Sequence, residues 1–251
     1  MIHLHPLQIP LLRSFFHPET PACLVGWHVI NSGHGHLYAD RWPEPRAVLA
    51  ESAGNYALAG DPLALAPEDL RPLVRGFVSA PENFAPLLYE SFPDLGLWER
   101  VVLVLRGAPR FNQPAGVEFR RLEAADAPRL MELGDDLAWV GKTWGGVAGL
   151  AASGRAWGAF AGEQLVSAAC TFFQGSRYED IGVVTRPAFR RMGLSTACAG
   201  LLCREILARG CLPSWNTSPD NAASLRVAEK LGFEWQRAGR LYVIGAAVPA
   251  A

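Results

Sequence analysis

The stretch that most constrains this chain is Glu179-Asp-Ile-Gly-Val-Val-Thr-Arg-Pro-Ala-Phe-Arg-Arg-Met-Gly-Leu-Ser-Thr196, where an apolar strand pattern runs through Pro187 into a glycine-containing turn. Beyond the turn Leu194, Cys198, Leu201 and Leu202 recur at helical spacing, which predicts a helix starting near Leu194. The first N–H groups of such a helix have no intrahelical acceptor, and its dipole puts partial positive charge at that end. The turn from Arg190 to Ser195 is therefore suited to receive a pyrophosphate. Gly193 lets the backbone approach phosphate oxygens, and Arg190 and Arg191 add charge beside it. The Lys-Ser/Thr ending of a P-loop is absent, so nucleotide hydrolysis is not implied. Taken alone, the same residues also fit an ordinary turn whose arginines face water.

Half of the 251 residues are hydrophobic, enough to bury one large core or two ordinary ones. A net charge of −1 argues against a sequence-independent grip on nucleic acid, which requires a strong basic excess. The aliphatic run Val101 to Leu105 is far too short to cross a bilayer, and the first residues lack a charged-then-apolar signal pattern. We read the chain as cytoplasmic, with no membrane and no nucleic-acid partner. Cys23, Cys170, Cys198, Cys203 and Cys211 form an odd set without Cys-x-x-Cys spacing, as expected of reduced thiols.

Arg106 to Gly116 is rich in Pro and Gly between two apolar runs and reads as a linker. We divide the chain there into a small mixed α/β domain over 1–112 and a second domain over 117–251. Residues 1–116 hold 8 basic and 11 acidic residues, net −3, and residues 117–251 hold 15 and 13, net +2. The second part is the better home for an anionic ligand. In the first part, strands are expected at 46–50 and 55–59, then helical material from Pro67 to about Tyr89. In the second, a strand at 117–122 precedes helices at 125–134 and 138–152 and strands at 155–160, 165–173 and 178–184. A helix over 194–209, a strand at 212–216, a helix over 221–231 and a strand at 236–244 complete it. The sequence displays no internal repeat.

Downstream of the turn lies Ser214-Trp-Asn-Thr-Ser-Pro-Asp-Asn-Ala-Ala-Ser-Leu-Arg-Val-Ala-Glu-Lys-Leu-Gly-Phe233. Pro187-x-x-Arg190-x-x-Gly193, followed by Asn221 and Glu229-Lys-Leu-Gly-Phe233, resembles the GNAT superfamily of acyl-CoA transferases over roughly residues 117–245. Gly193-Leu-Ser-Thr and Cys211-Leu-Pro-Ser-Trp215 look more narrowly like the acetyltransferases related to the zwittermicin A resistance protein. The resemblance implies an α/β (α+β) fold with a mixed, splayed sheet flanked by helices. It also implies an N-acetyltransferase moving an acetyl group from acetyl-CoA (coenzyme A) to a primary amine of a small-molecule acceptor by direct attack. The N-terminal domain would then cover the acceptor site, and the sequence leaves the oligomeric state open, a homodimer being one option.

On that resemblance the coenzyme would be held by Val183, Val184, Thr185, Arg190, Arg191, Met192, Gly193, Leu194, Ser195, Thr196, Asn216 and Asn221. Extended backbone from Ile181 to Thr185 can pair with pantetheine amides as a strand would, and a bulge at Gly182 would splay the sheet. Asn221 is equally an N-cap. A base is needed to take a proton from the amine. Neighbouring strand residues point to opposite faces, so only one of Glu179 and Asp180 can face the cleft; the narrower resemblance, with its acidic residue immediately before Ile-Gly, implies Asp180 first and Glu179 second. Many relatives carry a tyrosine where this chain has Ala228, so either Tyr242 or water substitutes as the acid, or the thiolate, conjugate to a thiol near 8.5, leaves without help. That departure also admits an alternative, a catalytically inactive CoA-binding sensor or scaffold.

All six histidines fall within the first 36 residues, with His3/His5 and His34/His36 spaced two apart. No cysteine or carboxylate cluster completes a ligand set by spacing, so structural roles are favoured over metal binding. Trp139, Trp144 and Trp157 are read as core first and as an aromatic acceptor wall second.

Overall fold

The computed structural model describes residues 1–134 and 136–249. The first half supplies β1 (Ile2–His3), α1 (Val25–Ser32), β2 (His36–Ala39), β3 (Ala47–Ser52), β4 (Asn55–Gly60), α2 (Pro67–Leu70), β5 (Gly76–Ser79), α3 (Ala85–Ser91) and β6 (Gly96–Val104). The second supplies β7 (Glu118–Arg121), α4 (Ala127–Met131), α5 (Val147–Ala152), β8 (Ala156–Ala161), β9 (Gln164–Gln174), β10 (Tyr178–Thr185), α6 (Leu194–Ala208), β11 (Leu212–Thr217), α7 (Ala222–Leu231) and β12 (Glu234–Ile244). All the described strands join one mixed sheet in the order β1-β2-β3-β4-β5-β12-β6-β11-β10-β9-β8-β7.

That order reads alike from both ends. Outward from the antiparallel β6–β12 pair, each side continues into a parallel pair, β11 with β10 or β5 with β4, and then into antiparallel strands. The terminal strands of the halves are exchanged. β6 pairs with β11 of the second half, and β12 pairs with β5 of the first. The linker at 106–116 therefore connects two strands of one hydrogen-bonded sheet.

Helices cover both faces, which is why β9 and β10 are buried almost throughout. Alternation along β6 sorts the cores. Val101, Leu103 and Leu105 pack beneath α6 and α7 with Leu194, Cys198, Leu202 and Leu231, whereas Val104 packs with Val25, Val29, Phe173 and Tyr178 beneath α1. We call these the α6 face and the α1 face. On the α1 face the core beneath α4 and α5 continues through Cys170 and Val184.

Most predicted elements of the second half are present within two residues of their expected bounds. The helix expected over 138–152 is broken by Gly145 (φ +72°) and Gly146 (φ +111°) into a 3-10 turn, Ala138–Trp144, and α5. The helical stretch expected from Pro67 to Tyr89 is interrupted by β5. Gly76, at φ +135°, lies so close to Gly54 that a Cβ there would come within 2.1 Å of the Gly54 carbonyl oxygen. The chain extends at this point because β4 and β12 offer it hydrogen-bond partners that no local pattern reveals.

The first half is also tied to the second by His28, fully buried on α1. Its Nδ1 accepts from the Gln174 N–H at 3.0 Å, so its Nε2–H donates to the Thr143 carbonyl at 2.8 Å. Burial pushes its pKa down to about 4, and it stays a neutral, oriented imidazole at physiological pH.

With β6 and β12 exchanged, neither half closes its sheet without the other, and the chain is expected to unfold as one unit. Differential scanning calorimetry should give a single transition whose calorimetric and van't Hoff enthalpies agree. Two resolved transitions would show independent halves.

Candidate active site

The parallel β10–β11 ladder lasts three residues, Tyr178–Asp180 against Leu212–Ser214. Thereafter Ile181–Thr185 pairs only with β9, and Trp215–Thr217 only with β6. The strands part into a V with Asp180 and Ser214 at its vertex. The register slips here, since Asp180 faces Phe173 on β9 and Ile181 faces Thr171. The extra residue is thus Phe172 on β9, not a bulge at Gly182 on β10. Gly182 has another use. A Cβ there would touch the Trp139 ring at 3.3 Å, so its missing side chain lets that indole lie on the strand.

The open arm of the V leads to the start of α6. Arg191 (φ +65°) and Gly193 (φ +79°) are both left-handed, and Gly193 caps the helix without a side-chain acceptor. The first bond into the helix runs from the Ala197 N–H to the Gly193 carbonyl. Backbone N–H groups from Arg191 through Thr196 find no acceptor among the described residues. A non-glycine residue in that conformation costs about 1 kcal/mol or more, a strain that clusters at ligand-binding loops. Leu194 is buried and anchors the helix, while Arg190, Arg191, Met192 and Gly193 are exposed and Ser195 and Thr196 half-exposed. A cavity of ≈ 490 Å³ opens there between the linker segment 110–114, Gly193, Thr196 and Lys230. Arg110 and Lys230 line it and Arg190 and Arg191 belong to the adjoining turn; none of the four is ion-paired among the described residues. Along the arm, Val183 packs toward α6, Val184 toward α4 and α5, and the Thr185 hydroxyl meets that of Ser167 at 2.7 Å. The first two leave only backbone for a ligand.

Asp180 lies on the α1 face, 6% exposed, and accepts a hydrogen bond from the Ser214 hydroxyl at 3.0 Å. Burial raises its pKa to about 7, partly offset by Ser214 and by the charge of Arg100. Arg100 comes from β6, in the first half. Its Nε–H donates to Asn216 Oδ1 at 3.0 Å, its Nη2 to the Asn216 carbonyl at 2.8 Å, and its guanidinium stacks 4.0 Å over Trp98. Burial pulls its pKa down to about 10, with Asp180 and Asp220 pulling the other way. A second cavity, ≈ 260 Å³, adjoins this cluster between Cys23, Ser79, Arg100, Asn216, Arg237 and Tyr242.

Glu179 points to the other face. It is 1% exposed and bound by Arg155 (2.8 Å), both nitrogens of an Arg209 fork (2.8 and 3.1 Å) and the Thr171 hydroxyl (2.5 Å). Two arginines and a hydroxyl occupy its oxygens and leave no open approach, so it fastens α6 to the sheet. Tyr242, at the far end of the smaller cavity, packs its ring 6.2 Å from Tyr89 in the core of α2 and α3. It stands three strands across from Asp180 and, by register, seven residues further along, on the order of 25 Å away, and burial pushes its hydroxyl pKa up. Ala228 is fully buried under α6. Asn221 is the N-cap of α7, its Oδ1 accepting the Ser224 N–H at 3.0 Å; its amide N–H groups have no partner among the described residues.

Sequence reasoning missed Arg100 and Ser214. Arg100 is 80 positions from Asp180, and nothing local marks β6 as a strand of the second half's sheet. Trp139 meets Phe172 at 5.3 Å beside the vertex and is 36% exposed, whereas Trp144 is core. His3 and His36 bond each other at 3.1 Å, and among the described residues no group of three or more His, Cys, Asp or Glu could hold a metal ion.

Comparison with known proteins gives the following. Residues 110–242 match the family described as GNAT acetyltransferase. A Streptomyces virginiae protein described as an uncharacterized N-acetyltransferase in the mutA 5′ region is 41% identical over 214 residues, covering 83% of this chain and 90% of that protein. The crystal structure of a GCN5-related N-acetyltransferase-like protein from Streptococcus suis superposes with a TM-score of 0.71 at 21% identity, covering 94% and 98% of the two chains. A tandem GNAT protein from the clavulanic acid biosynthesis pathway gives 0.57 at 14% identity, covering 100% and 99%.

Two stability measurements check this geometry. Asn221→Ala should cost about 1 kcal/mol in urea denaturation and Asn221→Ser much less, if the cap is its structural role. For Asp180 the folded pKa lies above the unfolded one, so its contribution is fully present below about pH 4 and lost as pH rises through about 7. Relative to Asp180→Asn, the wild type should lose on the order of 2 kcal/mol between pH 5 and pH 8. Parallel pH profiles would show that Asp180 is not buried as described.

Proposed function

The chain belongs to the GNAT acetyltransferase family and is an acyltransferase; from that premise we propose that it transfers an acetyl group from acetyl-CoA to a primary amine of a small molecule, by direct attack with Asp180 as base. The observation that carries the reading is the V between β10 and β11, with unpartnered helix amides at its mouth and a buried carboxyl at its vertex.

The pyrophosphate is assigned to the N–H groups from Arg191 to Thr196, aided by Arg190 and Arg191. Arg110 and Lys230 are in reach of the coenzyme's remaining phosphate. The pantetheine arm then runs along Ile181–Thr185, five residues or ~17 Å of strand whose outer edge is free, a length comparable to that arm extended. It can hydrogen-bond there as an added strand, with Asn216 and the amide of Asn221 on the opposite arm of the V. This brings the thioester to the vertex.

The acceptor's ammonium gives one proton to Asp180, the resulting neutral amine nitrogen adds to the thioester carbonyl carbon, and the adduct's second N–H proton passes to water. Moving a proton from an alkylammonium near 10 to a carboxylate near 7 costs about 4 kcal/mol, against about 8 kcal/mol for an ordinary aspartate near 4. The burial that raises Asp180 therefore halves that cost, and Ser214 keeps the carboxylate oriented. The C–S bond then breaks, and the thiolate, conjugate to a thiol near 8.5, leaves without a side-chain acid and takes its proton from water. An acyl-enzyme route is disfavoured at Cys170 and Cys198, whose burial pushes their thiols up to about 12, and at Cys203, pushed higher still.

Acetyl-CoA consumption, followed by release of free thiol, should rise with pH to a limb near 7. Asp180→Asn should lower kcat by about 10²- to 10⁴-fold and abolish that limb. Gly193→Asp should weaken acetyl-CoA binding at least tenfold by calorimetry, since it sets a strained φ and a negative charge against the phosphates. A folded Gly193→Asp protein with unchanged affinity refutes the cradle. Acetyl-CoA binding without thiol release for any amine would favour the sensor reading that Ala228 leaves open.

A further inference from the structure

Arg100 makes no direct ion pair among the described residues, although the charges of Asp180 and Asp220 act on it. Two of its five N–H groups are taken by Asn216, a neutral partner, and both Nη1 protons lack an acceptor among the described residues. Half-buried cations are normally paired, because a charge taken from water costs several kcal/mol unless another charge compensates it. The guanidinium lines the ≈ 260 Å³ cavity, and its plane is fixed by Trp98 and Asn216. The neighbouring Arg237 is committed elsewhere, to the Pro21 carbonyl at 3.0 Å and to Cys23 Sγ at 3.4 Å. Glu82, Glu99 and Arg240 also line the cavity but are exposed, so water screens their charges, whereas Arg100 is half-buried.

Spacing relates this cation to the base. Ser214 orients Asp180, and Asn216, two residues further along β11 on the same face, holds Arg100. Two residues of strand span about 7 Å. An amine hydrogen-bonded to Asp180 and a carboxylate hydrogen-bonded to Arg100 are thus separated by what a short amino acid bridges with both ends bonded. A planar fork with two free parallel donors is the geometry that recognises a carboxylate.

We propose that the acceptor is a small amino acid, whose carboxylate pairs with Arg100 while its amine faces Asp180. This rests on the reading of Asp180 as the base and narrows its acceptor from amines at large to amino carboxylates. Arg100, contributed by the half of the chain outside the coenzyme cleft, is then a specificity-determining residue. A cavity of ≈ 260 Å³ suits a small acceptor, and a polyamine would meet the Arg100 cation.

The test is calorimetric titration of the full chain, saturated with CoA, with the standard α-amino acids, β-alanine and γ-aminobutyrate, and with the amides of those that bind. At least one acid should bind ten-fold or more tighter than its amide. Arg100→Gln should erase the preference, and Arg100→Lys should retain part of it through charge without the fork. Failure of every acid to bind, amides binding as tightly as acids, or a folded Arg100→Gln protein that keeps the preference would each overturn the proposal. Acetyl-CoA titration of the same protein reads the broader function separately. Lost coenzyme binding refutes that function, whereas carboxylate-blind amine acetylation refutes only the choice of acceptor.

Discussion

Two parallel strands that bond for three residues and then separate govern nearly everything else in this protein. Parallel ladders are normally buried and continuous, because each unpaired N–H or C=O shielded from water is costly. Here β10 and β11 separate because each is claimed on its other side, β10 by β9 and β11 by β6. The register slip at Phe172 turns β9 and β10 together away from β11 just past the vertex. What remains is a pair of free backbone edges too narrow for another strand of this chain and wide enough for an extended amide-bearing ligand.

The same separation sorts charge. Glu179 and Asp180 are adjacent, equally buried and of the same chemistry, yet the pleat sends one to two arginines and the other to a serine. One carboxylate becomes a fastening for α6. The other keeps a pKa near neutrality because burial raises it more than the Ser214 hydroxyl and the Arg100 charge lower it.

The second half was legible because its signals are local. Strand, Pro187, turn and helix lie within eighteen consecutive residues, and the helix begins at Leu194 as the apolar spacing requires. The alternation that separates Glu179 from Asp180 is also local. Arg100 was not legible, since its meaning depends on β6 pairing with β11 more than a hundred residues later. β5 was hidden for the same reason, and the bulge was sought at Gly182 because glycine is a local cue, whereas the slip falls at Phe172 on the neighbouring strand. The mirrored strand order left no trace in the residues. Geometry repeats on both sides of β6 and β12, but only the second half builds a fifteen-residue helix between the strands of its parallel pair; the first has the four-residue α2 there.

The exchange of β6 and β12 also bears on how the chain is made. During synthesis β6 emerges before both of its neighbours, and the inner edge of β5 waits for residues beyond 240. At 5–20 residues per second these open edges persist for roughly ten to thirty seconds on the ribosome. Exposed edges of that kind template association with other nascent chains. The nine-residue β6, whose apolar end is Val101–Val104, is therefore the segment on which a chaperone would have most to shield until the last strand arrives.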